Sequence, residues 1–220
     1  MTREELASLI DHTQVRAYAT ELDLASLCDE ARANRFACVT INPAWVSYCS
    51  KRLSDSGVGV NATIGFPLGA DTAHAKVEET KEAIGNGATE LDMMVNIGAL
   101  KSGYPEFVGK EIAAVVKAAR RAPVKVILET GYLTDREKVT VCELARSAGA
   151  AFVKTSTGFG ATGVTVSDVK LLSRLVGDEL GVKAAGGIRS YHFAVALVKA
   201  GATRLGTSSS LNILAEAPEE

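Results

Sequence analysis

The chain has 220 residues, 47% of them hydrophobic and 23% charged, with a formal net charge of −2 at pH 7. That length fits one domain with a sizeable core, and the near-neutral charge gives no electrostatic case for a nucleic acid or an anionic membrane as partner. The polar N-terminus, MTREELASLIDHT, has no basic segment followed by an apolar one, no run nears the ~18 apolar residues of a membrane span, and the four cysteines form no C-x-x-C pair, so the expected compartment is a reducing cytoplasm without a disulfide framework or zinc site.

Taken in chain order, a weak strand signal over 9–13 (LIDHT) opens the series and a helical pattern over 22–34 follows. Strands are expected over 36–42 (FACVTIN) and 58–65 (VGVNATIG), then a helix over 73–86 with charge on one side. A strand over 89–96 (TELDMMVN) leads to a helix over 106–121, which sets Phe107, Ile112, Val115 and Val116 against Lys110, Lys117 and Arg120. After a strand over 124–129 (VKVILE), Thr134 and Glu137 have the spacing of a capping box. Strands over 151–156, 181–185 and 203–207 then alternate with helices over 167–176 and 191–200. Gly87, Gly149 and Gly201 stand where helices should close. Most strand runs are apolar without strict alternation, as expected for strands buried on both faces. Strand–helix alternation with short connections predicts a parallel sheet, and about eight strands predict an α/β fold: a single (β/α)8 barrel spanning residues 1–220 as one catalytic domain. An open doubly wound sheet is the alternative, disfavoured because no G-x-G-x-x-G follows the first strand.

Several strand runs carry charges that strands seldom bury: Asp92, Lys125, Glu129, Lys154 and Lys183. Asp92, Lys154 and Lys183 precede segments that read as C-terminal strand ends, where barrel enzymes place their chemistry. Lys125, near the start of its strand, reads as a salt-bridged structural residue. Lys154 and Lys183 fall on successive strands, which lie ~4.8 Å apart. Two inward amines ~6 Å apart at an effective dielectric of ~20 repel by roughly 2.8 kcal/mol, about two pKa units, and desolvation acts in the same direction. The result is a lysine with an appreciable neutral fraction, the form that attacks a carbonyl. Asp92 is expected to accept or deliver protons through water, or to pair with a lysine.

Three glycine- and hydroxyl-rich loops follow the late strands: 156–158 (STG), 186–189 (GGIR) and 206–210 (GTSSS). Backbone N–H groups in such loops approach an anion closely, the loops after strands seven and eight are the common phosphate site of barrels, and Arg189 adds a charge-assisted contact. His12, His74 and His192 are dispersed, form no metal-binding pattern and read as structural or surface residues, which disfavours metal-dependent chemistry. Cys38 reads as a small core residue.

The segments LIDHT, ELDMMVN, ILET, FVKTSTGFG, VKAAGGIR and RLGTSSS, in this order from Ser8 to Ser210, resemble the deoxyribose-phosphate aldolase family; FVKTSTGFG with VKAAGGIR is the most specific part. The resemblance implies a (β/α)8 barrel and reversible cleavage of 2-deoxy-D-ribose 5-phosphate to D-glyceraldehyde 3-phosphate and acetaldehyde, with no metal or organic cofactor. It implies Lys154 as Schiff-base nucleophile, Lys183 as its activator and Asp92 as part of a proton relay. Thr157 matches a position that contacts a substrate hydroxyl, and Gly186, Gly187, Arg189, Ser208 and Ser209 match a phosphate cup. Thr13, Gly158 and Gly206 complete the expected substrate-binding set. A homo-oligomer, dimer or tetramer, is expected. Two departures stand out. Phe159 occupies a position where some relatives carry a lysine, and no tyrosine follows Tyr191 in the tail ending AEAPEE, so a terminal tyrosine's help in proton transfer is not expected. Other Schiff-base barrel aldolases and a phosphate-binding barrel without covalent chemistry are the competing readings.

Overall fold

Eight parallel strands pair in chain order, and the last returns to the first, in a computed structural model that describes residues 1–218. Glu219 and Glu220, the end of both the expected domain and the AEAPEE tail, lie outside the described residues. The strands are β1 (Ile10–Gln14), β2 (Cys38–Ile41), β3 (Gly59–Ile64), β4 (Glu90–Met94), β5 (Val124–Ile127), β6 (Phe152–Lys154), β7 (Gly181–Ala185) and β8 (Arg204–Thr207). Closure is made by Ile10, Asp11 and His12 of β1 in register with Leu205, Gly206 and Thr207 of β8. That pairing rules out the open doubly wound sheet, and the fold is a (β/α)8 barrel.

The helices are α1 (Arg3–Ala7), α2 (Glu21–Asn34), α3 (Val46–Leu53), α4 (Ala73–Gly85), α5 (Ile97–Lys101), α6 (Pro105–Ala119), α7 (Asp135–Ser147), α8 (Val166–Val176), α9 (Tyr191–Lys199) and α10 (Ser210–Ala215). The capping box of α7 forms as its spacing predicts: Thr134 Oγ1 accepts from the Glu137 N–H at 3.3 Å, and Glu137 accepts from the Thr134 N–H at 2.7 Å. Such a cap contributes ~1 kcal/mol. Gly149 follows the last turn of α7 with φ 78°, the left-handed conformation that ends a helix most cheaply at glycine. The short helices α1, α3, α5 and α10 are not anticipated by the sequence pattern, because none reaches the ~11 residues over which a helical period is read.

Alternate strand residues divide between two environments. Val39, Ile41, Val60, Leu91, Met93, Val126, Val153, Val182 and Leu205 are buried and join the helices' apolar faces in one continuous core. Each such side chain stabilises the fold by ~1.5–3 kcal/mol. The intervening positions carry Asp11, Thr40, Asn61, Asp92, Lys125, Lys154, Lys183 and Arg204, whose side chains meet one another across the barrel. Barrel interiors are usually filled by bulky aliphatic residues; this one is filled by ions.

Candidate active site

β6 ends on Lys154, whose Cα pairs in register with that of Lys183 on β7. Both side chains are buried, and both amines donate to the same atom, Asp92 Oδ2, at 2.7 Å. The two amines are therefore no further apart than twice that distance, within the separation expected from strand spacing. Lys183 also meets Asp11 Oδ2 at 2.5 Å and lies 3.5 Å from Thr40 Oγ1. Room for its side chain depends on Gly206, where an added Cβ would come within 3.1 Å of Lys183 Cε.

Burial is the main force on the Lys154 amine and pushes its pKa down to about 8. The Asp92 carboxylate opposes that shift, while the nearby Lys183 and Lys125 charges reinforce it. Sequence reasoning assigns about two units to repulsion from Lys183; in the structure desolvation comes first, and the carboxylate between the two lysines offsets part of their repulsion. Asp92 is fully buried, which disfavours its charged form, yet Lys154, Lys183 and Lys125 hold its carboxyl well below the usual carboxylate range.

Beneath these three residues the ions continue. Lys125 contacts Glu90, hydrogen-bonds Asn61 Oδ1 at 3.0 Å and lies 3.4 Å from Asp92 Oδ1 and 3.8 Å from Asp11 Oδ2. It is the salt-bridged structural residue that its place in the strand suggests, with its pKa raised: burial opposes the charge, and the Asp92, Asp11 and Glu90 carboxylates outweigh it. Arg204 closes the series on Asp11 at 2.8 Å and Glu90 at 3.2 Å. Asp11, Cys38 and Glu90 converge closely enough to suggest metal ligands. Three cationic side chains, Lys125, Lys183 and Arg204, already occupy their carboxylates, so this donor set does not fit a metal ion.

Above Lys154 opens a cavity of about 270 Å³. Thr13, Thr157, Gly158, Gly186, Gly187, Arg189, Gly206, Ser208 and Ser209 all line it, as does Lys154. Asp92 and Lys183 lie below its floor. Gly186 and Gly187 adopt φ 103° and 80°, which side-chain-bearing residues rarely take, and so turn the chain sharply where β7 meets the cavity. Ser156 is different: it is fully buried, its hydroxyl has no hydrogen-bond partner, and it is not part of the lining. Phe159, also part of the lining, is 54% exposed and stands edge-on to Phe66, with ring centroids 5.6 Å apart. Phe66 in turn lies 5.7 Å from the Lys154 amine.

The pattern for DeoC/LacD family aldolases matches residues 6–216. This chain belongs to that family of aldolases. It is 53% identical over 214 residues to a deoxyribose-phosphate aldolase of Methanothermobacter thermautotrophicus, covering 97% of this chain and 95% of the relative. Against the deoxyribose-phosphate aldolase of Thermococcus kodakarensis the identity is 52% over 224 residues, with full coverage of both. Among solved structures, a tetrameric deoxyribose phosphate aldolase from Aeropyrum pernix superposes with a TM-score of 0.92 at 39% identity, covering 97% of this chain and 91% of that one.

Several site residues of the aldolase escape sequence reasoning. Asp11 and Arg204 complete the buried ion series, and Gln14, Val15 and Arg16 join the cavity wall. Glu129 reads in sequence only as a strand charge. In the structure it is buried, has φ 54° just past β5, and accepts from both the Thr157 N–H, at 3.1 Å, and the Thr157 hydroxyl. The signal that could have found it is a glutamate at the C-terminal end of a strand, the edge where barrel chemistry gathers.

Proposed function

We propose that this aldolase works through a Schiff base on Lys154 and reversibly cleaves 2-deoxy-D-ribose 5-phosphate to D-glyceraldehyde 3-phosphate and acetaldehyde, as one catalytic domain over residues 1–220. The observation that carries this reading is the Lys154 amine itself: buried beside Asp92, at the edge of the cavity, with a pKa near 8. At pH 7 such an amine is neutral in roughly one molecule in ten, against a few in ten thousand for a free lysine. The neutral amine adds to the C1 aldehyde of the open-chain sugar, and loss of water leaves an iminium. The C2–C3 bond then breaks as the C3 hydroxyl gives up its proton. Its electron pair flows into the iminium, releasing glyceraldehyde 3-phosphate and leaving an enamine. Protonation at C2 and hydrolysis release acetaldehyde and restore Lys154. The iminium is the electron sink, so the chemistry calls for neither a metal nor an organic cofactor.

Asp92 serves as proton acceptor and donor through water, and Lys183 disfavours a second positive charge on Lys154 while linking Asp92 to Asp11. Thr13, Thr157 and Gly158 bind the sugar. Gly186, Gly187, Arg189, Gly206, Ser208 and Ser209 form the phosphate cup, where anion-binding loops meet the start of a helix. With Phe159 in place of a lysine, Arg189 and Arg16, both exposed at the cavity, are the guanidinium groups able to meet the phosphate charge. No helix among the described residues is long and apolar enough to cross a membrane. The four cysteines are free and buried, which supports a cytoplasmic setting, and likeness to the tetrameric relative supports a homo-oligomer.

Incubation with acetaldehyde and borohydride tests the reading. It should fix a two-carbon adduct on the peptide containing Lys154, and Lys154→Arg should show neither adduct nor turnover, since guanidinium stays protonated. An adduct on another lysine, or substantial activity in the purified variant, would overturn the assignment.

A further inference from the structure

The LIDHT motif contributes Asp11 and Thr13 to the barrel interior and cavity, but the residue between them points elsewhere. His12 Nε2 lies 2.7 Å from Glu30 Oε2 on α2, and Nδ1 lies 2.8 Å from Ser210 Oγ, the first residue of α10. His12 is 5% exposed and Ser210 fully buried. A carboxylate only accepts, so Nε2 carries a hydrogen; in the neutral ring Nδ1 then accepts from the Ser210 hydroxyl. Burial lowers the His12 pKa against the opposing pull of Glu30, which favours that neutral ring. A serine, a histidine and a carboxylate in hydrogen-bonded series suggest a nucleophile, but the sealed Ser210 hydroxyl has no path to substrate. The series is a strut.

What the strut supports is the turn that carries Ser208 and Ser209. Ser210 is itself the last residue of that turn, its one hydroxyl hydrogen is given to Nδ1 rather than to the Thr207 carbonyl oxygen 3.3 Å away, and the Thr207 hydroxyl accepts from the Ser209 N–H at 3.0 Å. That same hydroxyl donates to the Ile188 carbonyl at 2.7 Å, tying the turn after β8 to the loop after β7. The His12 ring also packs against Phe36, with ring centroids 5.1 Å apart and the planes tilted by 48°. Glu30 is fixed in turn by Ser26, whose hydroxyl donates to its other oxygen at 2.8 Å.

We propose that His12, held by Glu30, is a positioning residue for phosphate recognition: through Ser210 it fixes the 207–210 turn so that Ser208 and Ser209 meet the phosphoryl group of the substrate. This rests on the phosphate cup assigned above. It makes the LIDHT histidine a determinant of phosphate affinity with no part in carbon–carbon cleavage.

The test compares kcat and KM for 2-deoxyribose 5-phosphate and for unphosphorylated 2-deoxyribose, together with competitive inhibition by inorganic phosphate. The variants are His12→Phe, Ser210→Ala and, as a control on the cup itself, Ser208→Asp. His12→Phe and Ser210→Ala should each raise KM for the phosphorylated sugar about fivefold or more and weaken phosphate inhibition to match. Turnover at saturation, and kcat/KM for 2-deoxyribose, should stay within about twofold. Ser210→Ala removes one hydroxyl and carries the test alone where His12→Phe does not fold. Equal losses on both substrates, or no change in Ser210→Ala, overturns the proposal. If Ser208→Asp is selective for the phosphorylated sugar and the strut variants are not, this inference alone fails; if Ser208→Asp is itself unselective, the phosphate cup lies elsewhere.

Discussion

Lys154 and Lys183 share a single hydrogen-bond acceptor, Asp92 Oδ2, each at 2.7 Å. One carboxylate oxygen thus stands between two amines, only one of which borders the cavity. The pair is asymmetric because Lys183 has a second carboxylate, Asp11, and Lys154 does not.

Lys183→Leu should remove one source of the lowered Lys154 pKa and leave Asp92 to stabilise the Lys154 ammonium alone. The Lys154 pKa then rises above about 8. Activity at pH 7 should fall by at least tenfold and recover in part as pH rises, because more of the amine becomes neutral. Lys183→Arg keeps the charge and should shift the profile less. The pH dependence of kcat/KM, with circular dichroism to verify folding, decides: equal inactivity of Lys183→Leu at every pH assigns Lys183 to direct proton transfer, and near-wild-type activity at pH 7 refutes the paired-lysine account.

Asp92→Asn separates the two halves of the reaction. The carboxylate raises the Lys154 pKa, so its loss should leave Lys154 more often neutral and preserve borohydride trapping of acetaldehyde. Turnover should fall about a hundredfold or more, the usual contribution of a general acid–base group. Loss of the charge between buried ammonium groups should also cost ~3–5 kcal/mol of stability. A kcat within tenfold of wild type would reduce Asp92 to a structural partner.

Asp11 and Asp92 both have folded pKa values below the ordinary 3.8: burial opposes their ionisation, and the surrounding cations outweigh it. A depressed carboxylate pKa stabilises the fold fully above the unfolded value and loses that contribution as pH falls through the folded one. Thermal stability should therefore decline steeply below about pH 4. The Lys154 shift acts at the other end. Between about 8 and 10.5 the unfolded chain binds the extra proton, so this group's contribution increases with pH. Unfolding temperatures from pH 2.5 to 10 for wild type and for Asp92→Asn check both signs; an acid limb as steep in the variant as in wild type would sink the assignment to Asp92.

Glu129→Ala should free the Thr157 N–H and hydroxyl from their shared acceptor and loosen the cavity wall beside Lys154. A hydrogen bond to a charged acceptor contributes ~1.5–3 kcal/mol, so kcat/KM should fall about tenfold while adduct formation on Lys154 persists. Glu129→Gln, which keeps one acceptor oxygen, should recover part of the loss. Unchanged kinetics in Glu129→Ala would show that Thr157 is held by its backbone alone.

The barrel was legible in sequence because outward strand positions had to be apolar and the helices carry their own start and stop residues: Thr134, Gly87, Gly149 and Gly201 each stand where a helix begins or ends. Strand ends were less legible. The run 124–129 looks continuous, yet Glu129 takes left-handed φ and β5 stops at Ile127. Lys154, Lys183 and Asp92 stood out as charges inside apolar runs, and the cavity-lining residues as glycine and hydroxyl clusters. Asp11 and Arg204 did not, because each sits in a short polar stretch where a charge is unremarkable until closure brings β1 beside β8. His12 reads in sequence as a structural or surface residue, and its partners, Glu30 and Ser210, are brought to it only by the fold.

An interior filled with ions changes how the barrel can come apart. In a half-open barrel Asp11 and Arg204 on the closing seam would part from carboxylates and ammonium groups on β4, β5 and β7, stranding charges in a partly dry cleft. Aliphatic interiors tolerate such fraying, since each layer loses only its own contacts. Here every intermediate with one seam unzipped carries an electrostatic penalty that vanishes only when the ring is complete or fully hydrated. Opening should therefore be all or none, with backbone amides on β1 and on β4 through β8 exchanging with solvent together and at the free energy of global unfolding.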